Sequence, residues 1–232
     1  MPEAAVDTYC VDLDMPEIDV DRYHAVLSAE ERDRAGQFRF DRHRRRYVVR
    51  RGILRELIGS YLGCKPADVV FVYNAYGKPT LRDCNLHFNL SCSHGMALYA
   101  FCREAAVGCD LEWRDPKFAA EQIPERFFSR DEVRALRSLP LSRQTEAFFN
   151  CWTRKEAYVK AAGQGLSIAL DSFDVSLAPE EPAVFLRGGE GWSIQSFSPM
   201  PGFQAAIVAR RADWRSRTFP LERHPVELGT IV

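Results

Sequence analysis

The sequence predicts an α+β protein of two similar lobes, each a small antiparallel sheet packed with helices, and three observations carry that reading. Residues 86–92, 96–102 and 106–113 alternate apolar and polar side chains around tight turns, as an antiparallel meander does. Ser28-Ala-Glu-Glu31 and Ser129-Arg-Asp-Glu132 are capping boxes, in which a serine hydroxyl and a glutamate satisfy each other's backbone amides at a helix start. Helical and stranded stretches then follow in loosely the same order in both halves, although the residues themselves show no repeat.

Residues 6–13 alternate well enough for a first strand, and the short helix opened by Ser28 should end near Gly36. A longer helix is expected from Asp41 to Leu62, with Tyr47, Leu54, Ile58 and Tyr61 on its apolar stripe and Arg51 in the middle of it. Arg42, Arg44, Arg45, Arg46 and Arg50 surround that stripe. Most of such a run is an ordinary solvated face, but Arg46, Arg50 and Arg51 are placed to meet an anion. Residues 69–73 read as a strand, and the turn from Asn74 to Pro79 can aim Lys78 at a phosphate. In the third meander strand Val107, Cys109 and Leu111 share one face, while Gly108, Asp110 and Glu112 share the other. Asp110 and Glu112 are therefore neighbours, able to converge on one cation. Arg114-Asp115-Pro116 interrupts the pattern, which sets a boundary between lobes 1–115 and 116–232. Strands are expected at 172–177, 192–198 and 203–209, and the segment after Arg210, mixed in charge and proline, reads as peripheral.

The stretch Phe148–Leu166 is the most informative. Phe148, Trp152, Val159 and Ala162 form one helical stripe, and Glu156 falls inside it while Arg154 should face water. A buried carboxylate is costly unless compensated, either by Lys160 one turn on or by a metal ion. Gly163 is the natural left-handed cap of this helix.

Composition narrows the classes. The chain has 232 residues and a formal net charge of −1, so no global field recruits nucleic acid, and any anion site must be local. Only five of its 31 basic residues are lysines, and Lys78, Lys155 and Lys160 lie in the stretches above. The seven cysteines show no paired spacing, which fits a reducing cytoplasm. Neither a signal peptide nor a membrane span is expected.

Together, Gly77-Lys-Pro79, Phe88-Asn-Leu-Ser91, Val107-Gly-Cys-Asp-Leu-Glu112 and Trp152-Thr-Arg-Lys-Glu-Ala-Tyr-Val-Lys160, closed by Gly163-x-Gly165-Leu166, resemble the 4′-phosphopantetheinyl transferases. The resemblance is to the larger two-lobed group typified by the surfactin-synthetase activating enzyme, and it covers about Leu27 to Phe173. It implies lobes related by a pseudo-twofold with the active site between them, and a monomer. It implies transfer of the phosphopantetheine arm of coenzyme A to a serine of an apo acyl or peptidyl carrier protein, releasing adenosine 3′,5′-bisphosphate. The family's Mg²⁺ ligands match Asp110, Glu112 and Glu156. Lys160 matches a lysine that contacts the phosphates, Lys78 with Pro79 one near the nucleotide, and Arg34 a coenzyme A ligand. Arg46, Arg50, Arg51, Ser91, Cys92 and Asp110 complete the expected coenzyme A contacts. Glu156, with its pKa depressed by Mg²⁺ and Lys160, is expected to take the serine proton.

Three positions depart from the family pattern. Cys92 stands where the family's Ser-His motif has histidine, with His94 two residues late; Glu31 replaces a basic residue; and Cys109 replaces Ile or Val. Another Mg²⁺-dependent phosphotransferase or a pyrophosphatase acting on a nucleotide would use the same carboxylates and differ in its product. A non-catalytic coenzyme A-binding module should have lost one of them, and all three are present.

Overall fold

The computed structural model describes residues 4–120 and 122–219. The first half runs β1 (Ala4–Asp12), α1 (Glu17–Ala25), α2 (Ala29–Gly36), α3 (Asp41–Leu62), the short pair β2 (Phe71–Tyr73) and β3 (Pro79–Leu81), then β4 (His87–Ser93) and β5 (Met96–Cys102). The second half repeats the plan: β6 (Val107–Trp113), α4 (Pro116–Ala120), α5 (Ile123–Phe127), α6 (Arg130–Ser138), α7 (Leu141–Ala162), the pair β7 (Asp174–Val175) and β8 (Phe185–Arg187), then β9 (Ser193–Phe197) and β10 (Phe203–Ala209). A last strand, β11 (Trp214–Phe219), follows.

Both capping boxes form as read, Ser28 with Glu31 and Ser129 with Glu132. The two long helices have 22 residues each and end on glycines at φ +67° (Gly63) and +70° (Gly163), a conformation that a β-carbon disfavours.

The sheets are ordered β11-β1-β5-β4 and β6-β10-β9. Period-two alternation sorts each central strand between two cores. Ala97, Tyr99 and Phe101 of β5 pack on α3, and Ala206 and Val208 of β10 pack on α7. Leu98 and Ala100 of β5 instead meet Cys109 and Leu111 of β6 and Ala205 and Ile207 of β10 in a third core between the sheets. The layers are therefore α3, first sheet, second sheet and α7.

The pairing corrects the expected three-stranded meander. β5 already has β1 on one edge and β4 on the other, so β6 cannot extend the meander. It pairs antiparallel with β10 from Val107↔Ala209 to Trp113↔Phe203, and so opens the second half. The segment after Arg210 is not peripheral either: β11 pairs in parallel with β1, and Trp214 is buried. Residues 220–232 lie outside the described residues. The helix α1, not anticipated from the sequence, starts after Pro16 without a side-chain cap and packs Tyr23 over Gly52 of α3.

Arg154 is the other correction. It is 3% exposed, because α7 is covered on that side by the segment around Ser176 and by β9, where the helical stripe alone suggested water. No helix among the described residues is long and apolar enough to cross a membrane.

Candidate active site

The edge strands β4 and β6 run side by side without a backbone ladder among the described residues, and side chains of β4 do the joining. Asn89 Oδ1 accepts from the Cys109 amide at 2.9 Å, and Ser93 Oγ accepts from the Trp113 amide at 3.2 Å. On the face of β6 turned to α7, Gly108 makes close approach possible: a β-carbon there would collide with the Ala157 carbonyl and the Ala161 backbone. Asp110 and Glu112 share that face, so Glu156 and Lys160 of α7 arrive above them.

Lys160 is the hub. Its Nζ lies 2.5 Å from Asp110 Oδ1 and donates to Ser91 Oγ at 3.0 Å, while Ser91 Oγ donates to the same Asp110 oxygen at 2.8 Å. Its partner is therefore the strand carboxylate rather than Glu156 on its own helix. Burial opposes its charge, but Asp110 outweighs burial and raises the Lys160 pKa. Asp110 is 2% exposed, and its second oxygen, Oδ2, is buried with no hydrogen-bond partner.

The other two carboxylates are also stressed. Burial, then repulsion from Asp110, pushes Glu112 up to about 7 even though Ser93 Oγ donates to it at 2.8 Å. Burial and Asp110 likewise raise Glu156. Lys160 pulls the Glu156 pKa the other way, but burial and Asp110 outweigh it. No group of three His, Cys, Asp or Glu side chains among the described residues is already gathered as a metal shell. The donors nevertheless fit a hard divalent cation: three carboxylates face one ammonium, one buried oxygen is orphaned, and burial with repulsion from Asp110 raises the pKa values of the other two carboxylates.

Beside these groups lies a cavity of about 300 Å³. Glu156 and Lys160 form one wall, Leu90, Val159, Ile168 and Leu170 an apolar one, and Tyr76, Gly77, Lys78 and Pro79 a third. Asn74 holds that last wall. Its Oδ1 accepts from the Tyr76 and Lys78 amides at 2.9 Å each, and its Nδ2 donates to the Gly163 carbonyl at 2.7 Å, tying the turn to the end of α7. Lys78 is half-buried, with its ammonium turned inward. Its Nζ donates to the carbonyls of Val107 and Ala161, and burial pulls its pKa down to about 8.

The basic face lies on the other side of β4, which turns Cys92 towards α3. Arg34 and Arg50 both sit over the Tyr47 ring, at 5.8 and 5.5 Å. Arg50 Nη1 donates to the exposed Cys92 thiol at 2.9 Å, and Arg50 Nε is buried without a partner. Arg46 is instead bound to Asp14, whose pKa it holds down to about 2. Arg51 is committed to Glu31, which also receives Arg55 Nε at 2.6 Å. Burial pushes the Glu31 pKa up, but the two arginines more than reverse it. Glu31 is thus an internal counter-ion.

Of the residues singled out in the sequence, Ser91, Asp110, Glu112, Glu156 and Lys160 converge, and Lys78 and Pro79 line the adjoining cavity. Arg34, Arg50 and Cys92 form a separate basic face, and Arg46 and Arg51 are neutralised locally. Sequence reasoning missed Asn74, Asn89 and Ser93. Asn74 carried a signal as the first residue of the turn that ends in Gly-Lys-Pro, and Asn89 as part of the Phe88-Asn-Leu-Ser91 stretch.

Two family models match the chain: "4′-phosphopantetheinyl transferase, N-terminal" over residues 17–103 and "4′-phosphopantetheinyl transferase superfamily" over 106–208. Their junction falls between β5 and β6. Among curated relatives, the 4′-phosphopantetheinyl transferase HetI of a Nostoc species is 39% identical over 216 residues, covering 91% of this chain and 90% of its own. The 4′-phosphopantetheinyl transferase ffp of Bacillus subtilis is 32% identical over 212 residues, covering 89% and 93%. Among solved structures, a holo-(acyl-carrier-protein) synthase from Bacillus anthracis in complex with CoA (3′,5′-ADP) aligns with 45% of this chain and 95% of its own, at 22% identity and a TM-score of 0.40.

Proposed function

The chain belongs to the 4′-phosphopantetheinyl transferase family, and from that premise we infer that it moves the 4′-phosphopantetheine arm of coenzyme A onto a serine of an apo carrier protein, releasing adenosine 3′,5′-bisphosphate. The observation that supports assigning this chemistry to the groove between β4, β6 and α7 is the Lys160–Asp110–Ser91 cluster, with its orphaned carboxylate oxygen.

Asp110, Glu112 and Glu156 would hold Mg²⁺, whose charge, when bound, offsets that of the pyrophosphate and of the leaving phosphate. Lys160 carries a second positive charge to the phosphates, and the Asp110 and Ser91 bonds fix its position before substrate arrives. Arg34 and Arg50 offer guanidinium groups to the nucleotide end, with the unpartnered Arg50 Nε as a free donor. The cavity walled by Leu90, Val159 and Ile168 receives the pantetheine arm, mostly apolar, and leaves the reacting phosphate beside Glu156. Glu156 then takes the serine proton.

The two halves of one chain supply both walls of the groove, which supports reading the functional unit as a monomer. One experiment tests the reaction. The chain is incubated with coenzyme A, Mg²⁺ and a panel of apo carrier proteins, and the products are weighed. A carrier gaining one phosphopantetheine at its serine supports the reading, whereas release of inorganic phosphate with no carrier modified would point to a pyrophosphatase.

A further inference from the structure

A second cavity, of about 770 Å³, is distinct from the groove just described. It opens on the opposite seam, where β9 lies against β11 and Gln195 Nε2 donates to the Trp214 carbonyl at 3.1 Å. In the repeated plan β9 and α7 stand where β4 and α3 stand in the first half. The cavity is thus the second half's counterpart of the Arg46–Arg50–Cys92 face. The correspondence extends to charge. In the first half Arg46 of α3 pairs with Asp14 beyond β1; in the second, Glu146 of α7 faces Arg114 beyond β6, at 3.7 Å.

We propose that this cavity is a second binding site, for a small organic anion carrying a carboxylate or phosphate group. Its floor is Arg154, a guanidinium 3% exposed whose three hydrogen bonds all end on Ser176 and Ser196, neither of them charged. Burial pulls the Arg154 pKa down to about 10, with Glu181 only a secondary electrostatic influence. A buried cation without an anion is an expensive arrangement, and a bound carboxylate would relieve it. Its wall is Arg114, whose Nη2 donates to Gln204 Oε1 at 2.7 Å while Nε is buried with no partner. The hydroxyls of Ser198, Ser216 and Thr218 also line the space. A volume in the usual range for metabolite sites, lined by guanidinium, amide and hydroxyl groups, suits a compact, multiply hydrogen-bonded ligand. Glu146 and Glu181, which also line the cavity, limit its net positive charge, which selects against a polyphosphate.

The site is tested by hydrogen–deuterium exchange on the full chain, with malonate and inorganic phosphate as probes at constant ionic strength. The expected result is saturable protection of segments 193–198 and 214–219, half-complete below about 10 mM. Stronger protection by malonate assigns a carboxylate ligand, and stronger protection by phosphate a phosphorylated one. Arg114→Gln and Ser216→Glu should each weaken it at least tenfold. Ser216 is exposed, so its replacement keeps the fold and should leave phosphopantetheine transfer unchanged. The proposal is overturned if neither probe protects these segments saturably, or if both variants half-saturate where the parent does.

Discussion

The Lys155 ammonium lies 2.8 Å from the Glu132 carboxylate, and neither side chain reaches water. Glu132 simultaneously caps α6 through the Ser129 amide and accepts from the Val175 amide, while Lys155 donates to the carbonyls of Leu170 and Phe173. Glu31 and Arg55 repeat the device in the first half, with Glu31 capping α2 and Arg55 reaching the carbonyls of Pro66 and Val69. One ion pair in each half therefore pins a capping box, the middle of a long helix and the chain beyond that helix. The lysine between Arg154 and Glu156 in the Trp152–Lys160 motif is a structural residue.

Removing one partner leaves the other charged and buried. Lys155→Met should lower the unfolding free energy by about 3 to 5 kcal/mol in urea titrations, well beyond the effect of an exposed lysine. A loss below about 1 kcal/mol would show that the pair is not buried as described.

Glu156 is strained in its charged form when no metal is bound, so Glu156→Gln should move stability and activity in opposite directions. With EDTA present the variant should melt at or above the parent temperature, because a raised carboxylate pKa marks a charge that folding disfavours. Carrier modification at saturating Mg²⁺ should fall at least about 10²-fold. Undiminished turnover would remove Glu156 from proton transfer and leave a water held by Asp110 and Glu112 as the base.

Glu112 supplies a pH signature. Its folded pKa of about 7 lies above the ordinary 4.5, so between those values the folded protein holds more of this proton than the unfolded chain does. Stability must then fall as pH rises through that window. Metal-free protein should lose about 2 kcal/mol more between pH 5 and 7.5 than Glu112→Gln does, after allowance for the partial exposure of the group. Parallel pH profiles for the two proteins would mean that Glu112 is not perturbed.

The Arg50–Cys92 contact bears on the nucleotide end. Arg50→Met should weaken coenzyme A binding about tenfold and 3′-dephospho-coenzyme A much less, since a guanidinium–phosphate bond is lost only where the 3′-phosphate is present. Cys92→His should tighten coenzyme A, because histidine adds a donor beside Arg50. Calorimetric titration of both ligands decides it, and equal losses for the two in Arg50→Met would place the 3′-phosphate elsewhere.

Features set by a few adjacent residues were legible in the sequence. Both capping boxes, the left-handed cap at Gly163, the faces of β6 and the out-of-place Glu156 all follow from local spacing. What could not be read was which strand takes which neighbour. β6 follows β5 after a short turn, yet its backbone bonds go to β10, and nothing local in residues 106–113 names a partner so far along the chain. Arg154 failed for a related reason: helical periodicity gives the angle of a side chain but not what covers that angle, and here β9 and the chain after β7 do. Charge accounting had the same limit. Arg46 and Arg51 looked like anion ligands because their carboxylate partners, Asp14 and Glu31, lie on other elements.

The parallel pairing of β1 with β11 also fixes an order of events. Thr8 pairs with Thr218, a separation of 210 positions, so the strand made first waits for one made after both long helices and both sheets' central strands. On the ribosome, the first half can gather α3 and β5 around its own core, but β1 presents an open edge until β11 emerges. For that interval a nascent chain stalled within the second half offers this edge to its neighbours, and the final strand is what withdraws the offer.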